Sequence, residues 1–202
     1  RKRLVKYLCI IFVTVPVWYV MGTLVLFSPE LFGKLSGDPE NAKLITAGRS
    51  IMFAYTGITV GDLLCGLISQ VWKSRKKTLG LFLILTLISM IAYFTVGGNS
   101  VNTFYGIILM IGFATGYWAV FISTASELFG TNIRATATTT APNFVRGSTI
   151  LISYLLTAMT LAFGKEGLTA TIATGVVIMA IAFVALYFLE ETFGKDLDYV
   201  EK

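Results

Sequence analysis

Six long apolar stretches, separated by short polar segments, constrain the fold of this chain more than any other feature. A helix that crosses about 30 Å of hydrocarbon needs roughly 20 mostly apolar residues, and six stretches reach that length: about 5–28, 45–70, 79–97, 102–126, 139–163 and 168–189. Only 13% of the 202 residues are charged, and the mean hydropathy is +0.78. Soluble domains carry about 25% charged residues. The sequence therefore predicts an all-α membrane protein, with residues 1–202 forming a single domain of six transmembrane helices.

The lysines and arginines are unevenly divided between the two sides of such a membrane. If the amino terminus is cytoplasmic, eleven cations share its side: Arg1, Lys2, Arg3, Lys6, Lys73, Arg75, Lys76, Lys77, Arg134, Lys195 and Lys202. Four fall on the opposite side: Lys34, Lys43, Arg49 and Lys165. Because cytoplasmic loops are enriched in Lys and Arg, both termini are predicted to be cytoplasmic. The net charge of +5 then indicates a lipid bilayer rather than nucleic acid as the partner.

The chain lacks the residues of common catalytic and metal centres. Histidine is absent, which removes most zinc chemistry, haem-type ligation and a His-based proton relay. The two cysteines, Cys9 and Cys65, are far apart in apolar stretches and are interpreted as small buried hydrophobic residues. We therefore expect no enzyme activity, no cofactor and no metal site, and of the functions considered an intramembrane enzyme has the least support.

Polar and small residues form a stripe on each of two predicted helices, the second and the fifth, at spacings of three and four that place them on one face. In the second helix the stripe contains Gly48, Met52, Tyr55, Thr59, Asp62 and Gly66. In the fifth it contains Asn143, Arg146, Ile150, Ser153, Thr157 and Thr160. The third and sixth helices carry no charge in their apolar runs, so we expect them on the outside, facing lipid.

Asp62 and Arg146 are charged residues inside apolar stretches, at similar distances from the cytoplasmic cations. Each would cost about 2.5–3.5 kcal/mol at the centre of a membrane helix. Two interpretations are open: a structural ion pair between the second and fifth helices, or a polar pathway in which one or both contact a substrate or a proton.

Aromatic residues and helix breakers add candidates for that pathway. Deep aromatic side chains could line a cavity, whereas those near helix ends more often form the interfacial belt. Pro16 favours a kink in the first helix. The predicted pathway contains Trp18, Tyr19, Thr23, Tyr55, Thr59, Asp62, Tyr117, Trp118, Asn143 and Arg146. The pairs Gly57-xxx-Gly61 and Gly112-xxx-Gly116 are interpreted as close packing between helices.

Three local motifs resemble those of the major facilitator superfamily of transporters. The segment after the second helix resembles G-x-x-x-D-x-x-G-R-[RK], matching Gly66 and Arg75 but with Gln70 in place of the acid. The segment 125–137, "ASELFGTNIRATA", resembles the "SE-(I/L)-F-x-x-x-x-R" element of sugar-porter-like halves, at Glu127 and Arg134. The end of the chain resembles the tail "PETKGKSLEE", with matches that include Glu191, Thr192, Gly194 and Lys195.

This resemblance implies the carboxy-terminal half of a twelve-helix transporter, built from two inverted three-helix repeats. It implies a second six-helix half as partner, in the same longer chain or as a homodimer copy, and the start at Arg1 rather than Met favours a fragment. It also implies a cytoplasmic gate formed by Gly66, Arg75, Glu127, Arg134 and Glu191. Alternating access in a multi-pass protein of the cell membrane (the inner membrane in a bacterium) would follow.

The first helix bears on the substrate. Its sequence "VPVWYVMGTLVLFSPE" lacks the glutamines of the sugar-binding element that sugar porters carry there. The chain is therefore more similar to the metabolite and organic-ion branch, and we expect a small organic anion moved with a proton. The alternatives are a sugar-porter half and a non-transporting membrane scaffold or receptor of the same fold.

Overall fold

The structure is a computed structural model that describes residues 2–163, 167–195, 197, 198 and 200. Three cations used to predict the orientation, Arg1, Lys165 and Lys202, lie outside the described residues, as does the side chain of Lys2. The described residues contain helices, turns and no strand. The all-α prediction is therefore confirmed for this part of the chain.

Eight α-helices make up most of the described chain. Their bounds are Lys2–Tyr19 (α1), Ser28–Leu35 (α2), Ala47–Val71 (α3), Arg75–Val96 (α4), Val101–Ala114 (α5), Trp118–Glu127 (α6), Thr131–Phe163 (α7) and Leu168–Phe188 (α8). A π-helical segment, Val20–Val25, continues α1, and two 3₁₀ segments occupy Pro39–Leu44 and Gly97–Asn99. The polar segment between the first two spans is thus largely helical, which its polar composition alone does not predict.

Among the described residues, six helical units are long and apolar enough to cross a membrane, as predicted. They are α1 with its π segment, α3, α4 with the 3₁₀ turn after it, α5 with α6, α7, and α8. The fourth span is broken between α5 and α6. At the break the Thr115 hydroxyl donates to the carbonyl oxygens of Ile111 and Gly112, both at 3.0 Å, which offers the backbone an alternative to continuing the helix.

The contacts between helices have two-fold symmetry: the contacts that the first, second and third spans make are repeated by the fourth, fifth and sixth spans. The first span packs on the fifth and sixth, and the fourth packs on the second and third. The third and sixth, α4 and α8, contact each other. Two three-span repeats related by a two-fold axis produce such a pattern. Because the first repeat has an odd number of spans, it ends on the opposite side of a membrane from where it began, so the second repeat has the inverted topology.

The extent of burial differs between the spans. The most exposed spans are α3 and α7, in whose most apolar stretches only 22% and 17% of the residues are buried. The uncharged α4 and α8 are intermediate at 39% each, so most of each helix is exposed, and the lipid-facing position expected for them stays a prediction. Both polar stripes lie on exposed or half-buried faces of α3 and α7. The two stripes therefore form one broad face without a partner in the described chain.

Glycines bring α3 and the fourth span into backbone contact, as predicted from their spacing. A β-carbon added at Gly61 would lie 2.1 Å from the carbonyl oxygen of Phe113, and one at Gly112 would lie 2.2 Å from that of Ala54. A β-carbon at Gly116 would lie 2.6 Å from the amide nitrogen of Asp62. No side chain fits at these positions unless the two helices separate.

The substitution Gly61→Ala tests this contact. It places a methyl group against a backbone carbonyl that no rotamer change can move, and overpacking of this kind costs about 1–3 kcal/mol. We expect a lower unfolding temperature in detergent, followed by tryptophan fluorescence. Gly106→Ala is the matched control, because a β-carbon there meets nothing within 4 Å. An unchanged unfolding temperature in Gly61→Ala would contradict the packing.

Candidate functional site

A recess of about 400 Å³ opens where the first span, α3, the break in the fourth span and α7 meet. Its lining combines one acid, one base, three aromatic rings, one threonine and three aliphatic side chains: Asp62, Arg146, Trp18, Tyr55, Trp118, Thr115, Val17, Met21 and Ile58. Five of these nine were predicted to line a pathway. Asp62 and Arg146 thus line the same recess, as their similar distances along the chain from Lys73 and Arg134 had indicated.

Asp62 caps the amino terminus of α6. Its Oδ1 accepts a hydrogen bond from the Ala119 amide at 3.0 Å, and its carboxylate also faces the amide of Trp118. The first turn of a helix leaves several N–H groups without an intrahelical partner and carries a partial positive charge. A negative side chain at that position stabilises the break, which is a structural reason for an acid in the apolar part of the second span.

Arg146 lies across the recess from this cap and does not form the ion pair that one interpretation required. Among the ion pairs of the described residues, none joins Arg146 to Asp62. The guanidinium carbon instead stands 5.6 Å from the centre of the Trp118 ring, and Nη1 donates to Asn143 Oδ1 at 3.5 Å. Arg146 is therefore an exposed cation held over an aromatic ring, without a salt bridge to any acid among the described residues.

Three further residues predicted for the pathway lie elsewhere. Tyr19 and Tyr117 are fully buried, and their hydroxyls donate to the carbonyl oxygens of Thr171 at 2.6 Å and Val13 at 3.1 Å. Both tyrosines hold helices together from inside the core. Thr23 is buried in the π-helical segment.

The last two pathway candidates border the recess without lining it. Thr59 is exposed on α3 and donates to the carbonyl oxygen of Tyr55 at 2.9 Å. Asn143 lines a neighbouring apolar groove between the first span and α7. The lining residues that the sequence analysis missed are Val17, Met21, Ile58 and Thr115. Three of them carry no polar signal: helical spacing could have found Met21, three residues from Trp18, and Ile58, four residues from Asp62, but nothing in the pattern marks Val17.

Trp18 contributes a hydrogen-bond donor that is not used. Its indole N–H is shielded from solvent and has no hydrogen-bond partner among the residues that the structure describes. Indole can only donate, and an unpaired buried donor costs about 1–3 kcal/mol. The recess therefore holds a cation that lacks an anion, and Trp18 in its wall carries a shielded donor that lacks an acceptor.

A second polar cluster lies at the end of the bundle that holds both described chain ends. Arg75 binds Glu127 through Nη2 at 2.9 Å and through Nε at 3.2 Å, and both side chains are largely buried, with 11% and 14% exposed. Arg75 also donates to Ser69, and Glu127 accepts from Thr192 at 2.7 Å. We call this set, together with Glu191, the clamp, because it joins α3, α4 and α6 to the segment after α8.

Glu191 enters the clamp through backbone groups rather than through the Arg75 guanidinium. Its carboxylate accepts from the amides of Arg75 at 2.9 Å and Phe193 at 3.0 Å, and from the hydroxyl of Ser74. Burial by itself would raise the pKa of the Glu191 carboxyl. The hydrogen bonds from Ser74, Phe193, Arg75 and Thr192 outweigh that effect and lower its pKa below the ordinary value.

The remaining residues of the predicted gate do not join the same network of charges. Arg134 donates to the carbonyl oxygens of Ser126 at 2.9 Å, of Phe129 at 3.3 Å and of Leu197. It therefore closes the carboxyl end of α6 and holds the tail. Gly66 borders open space, so no close backbone contact explains its lack of a side chain.

The substitution Glu191→Gln tests the clamp by its pH dependence. A carboxyl group with a lowered folded-state pKa adds stability that is present above its ordinary pKa of 4.5 and is lost as the pH falls through the lower folded value. We expect wild type to unfold at a higher temperature than Glu191→Gln near neutral pH, with the difference shrinking below pH 4.5. Glu30→Gln, an exposed residue of α2, is the matched control. A difference that does not vary with pH would contradict this account.

The comparisons with known proteins point in one direction. The chain is similar to a protein of Arabidopsis thaliana named putative glycerol-3-phosphate transporter 4, with 27% identity over 192 residues. The match covers 91% of this chain and 35% of the plant protein, so the chain spans about a third of that relative's length. No family model matches the chain, and no solved structure matches it. The six candidate spans and this similarity together support a membrane transporter.

Proposed function

We propose that this chain is the carboxy-terminal half of a secondary active transporter of the major facilitator type, and that it moves a small organic anion by alternating access. The observation that carries the proposal is the exposed Arg146 guanidinium in the recess, without an acidic partner in the described chain. A cation that faces hydrocarbon is costly. Arg146 must therefore meet water, a partner or an anion, and a substrate path supplies all three.

The exposed face of α3 and α7 supports a second half as the partner. The recess is open on that face, and large apolar side chains such as Tyr154 and Leu151 are exposed beside the polar stripe. In transporters with two such halves, the substrate site lies between them near the midplane. The partner in our proposal is a second six-helix half, in the same longer protein or as a second copy, within a cell membrane.

The clamp supports a switch between two states. It joins the ends of α3, α4 and α6 at one end of the bundle through a largely buried ion pair, Arg75 with Glu127. We propose that this end is cytoplasmic and that the intact clamp belongs to the state closed on that side. Rocking of one half against the other would then require the clamp to loosen.

The substitution Arg146→Ala tests the anion path in the intact protein that carries this chain. Hydrogen bonds to a charged group contribute about 1.5–3 kcal/mol, which corresponds to at least about tenfold weaker binding. We expect a KM for proton-driven uptake of radiolabelled glycerol-3-phosphate, benzoate or another organic anion that is at least about tenfold higher in proteoliposomes. Arg146→Lys keeps the charge and should fall between the two.

The control for this experiment is Arg49→Ala. Arg49 also stands over an aromatic ring, Tyr105, at 5.0 Å, but it lies outside the recess. We expect its uptake to match the parent protein. Equal uptake of every anion by Arg146→Ala and the parent protein would contradict the proposal.

Asp62 is the residue we propose for coupling to a proton. Asparagine is as good a helix cap as aspartate but cannot take up a proton, so Asp62→Asn separates the two roles. We expect it to keep its stability and substrate exchange across the membrane while losing accumulation driven by a proton gradient. Asp62→Ala should also lower stability, by about 0.5–2 kcal/mol. Full proton-driven accumulation by Asp62→Asn would exclude Asp62 as the coupling group.

A further inference from the structure

The side chains that line the recess indicate which class of small organic anion it binds. This inference rests on the proposed function. The lining supplies one cation, Arg146, and one acid, Asp62, which is held by the amide of Ala119. One guanidinium balances one negative charge. A phosphate monoester carries about −1.5 to −2 at neutral pH, and the lining offers no second cation for its second charge.

Aromatic rings form much of the remaining wall. Trp18, Tyr55 and Trp118 line the recess, with Val17 and Ile58 among the aliphatic residues between them. Arg146 already lies over the Trp118 ring. A flat ligand ring can enter the same stack, since aromatic pairs contribute about 0.5–1.5 kcal/mol beyond the apolar area that they bury.

Trp18 holds a second, unused donor. Its N–H is shielded from solvent and has no partner in the described chain, while other atoms of Trp18 line the recess, so a ligand reaches the N–H once the indole ring turns. A carboxylate has two acceptor oxygens, each with more than one lone pair. It can therefore accept hydrogen bonds from a guanidinium and from a second donor at the same time. A ligand carboxylate between Arg146 and Trp18 would satisfy both residues at once.

We propose that the recess binds a monovalent aromatic carboxylate. The carboxylate accepts hydrogen bonds from Arg146 and, with the indole ring turned toward the recess, from Trp18, and the ligand ring packs against Trp118. On this proposal the site discriminates against an organic phosphate such as the one in the name of the plant relative. The recess volume of about 400 Å³ falls within the usual range of small-ligand pockets, about 300–1,000 Å³.

The test is equilibrium binding of three radiolabelled probes to the intact protein in detergent. Benzoate has the aromatic ring and one negative charge, cyclohexanecarboxylate has the charge without the aromatic ring, and glycerol-3-phosphate has neither the ring nor the single charge. We expect benzoate to bind about two- to tenfold more tightly than cyclohexanecarboxylate. Glycerol-3-phosphate should bind more weakly than both.

Substitutions of single tryptophans test which side chains contact the ligand. Trp118→Leu should weaken benzoate to the level of cyclohexanecarboxylate, and Trp118→Tyr should restore the difference because it keeps a ring. Trp18→Phe removes the N–H and keeps a ring, so it should weaken both carboxylates by a similar factor, about two- to tenfold. Trp72→Phe, at the exposed carboxyl end of α3 outside the recess, is the control and should leave all three affinities unchanged.

The possible outcomes separate this inference from the proposed function. Equal affinity for benzoate and cyclohexanecarboxylate, or tightest binding of glycerol-3-phosphate, overturns the aromatic assignment. If none of the three probes binds while another anion is taken up through Arg146, the inference fails and the proposed function stands. If no organic anion shows Arg146-dependent uptake, both fail.

Discussion

The contact between the backbones of α3 and the fourth span is the constraint on which the rest of the site depends. Gly61 and Gly116 leave no room for a side chain between the two helices. This closeness puts the amide of Asp62 against the helix break and its carboxylate within 3.0 Å of the Ala119 amide. With larger residues at the glycines, the acid would stand too far from α6 to cap it, and an uncompensated charge would remain in the apolar part of the bundle.

Both polar clusters place charged side chains within an apolar bundle, but the groups that balance those charges differ. In the clamp, the charge of Arg75 is balanced by Glu127 in a largely buried pair, and Glu191 is balanced by backbone amides at the start of α4. In the recess, the acid is balanced by a helix terminus, while Arg146 has only an aromatic ring and a weak amide contact. The recess is thus a place in the described chain where a charge has no acidic partner.

Much of the fold and part of the site follow from the sequence because they depend on simple patterns. Runs of apolar residues identify the six spans, spacing places the stripes of α3 and α7 on single faces, and paired glycines mark the tight contact. The pairing of Arg75 with Glu127 agrees with the family resemblance. These features require only composition, periodicity or a matched motif.

The other features depend on the directions of side chains, which periodicity does not fix. Hydropathy runs through the break at Thr115–Tyr117, so the fourth span looked continuous, and the partner of Asp62 could not be foreseen. Tyr19 and Tyr117 are deep and aromatic, as a cavity residue would be, yet their hydroxyls find carbonyl oxygens inside the core. The high exposure of α3 and α7 depends on which helices pack around them, and periodicity along one helix does not fix that.

The break in the fourth span also makes α6 a short, rigid helix whose two ends belong to different polar clusters. It has ten residues, which is about 15 Å at the usual rise per residue. Its first turn is held by Asp62 in the recess, and its last residue, Glu127, is held by Arg75 in the clamp. A rod of this length cannot tilt at one end without moving the other. Coupled equilibria are reciprocal, so to the extent that a ligand in the recess shifts the clamp, opening of the clamp changes the affinity of the recess by the same factor.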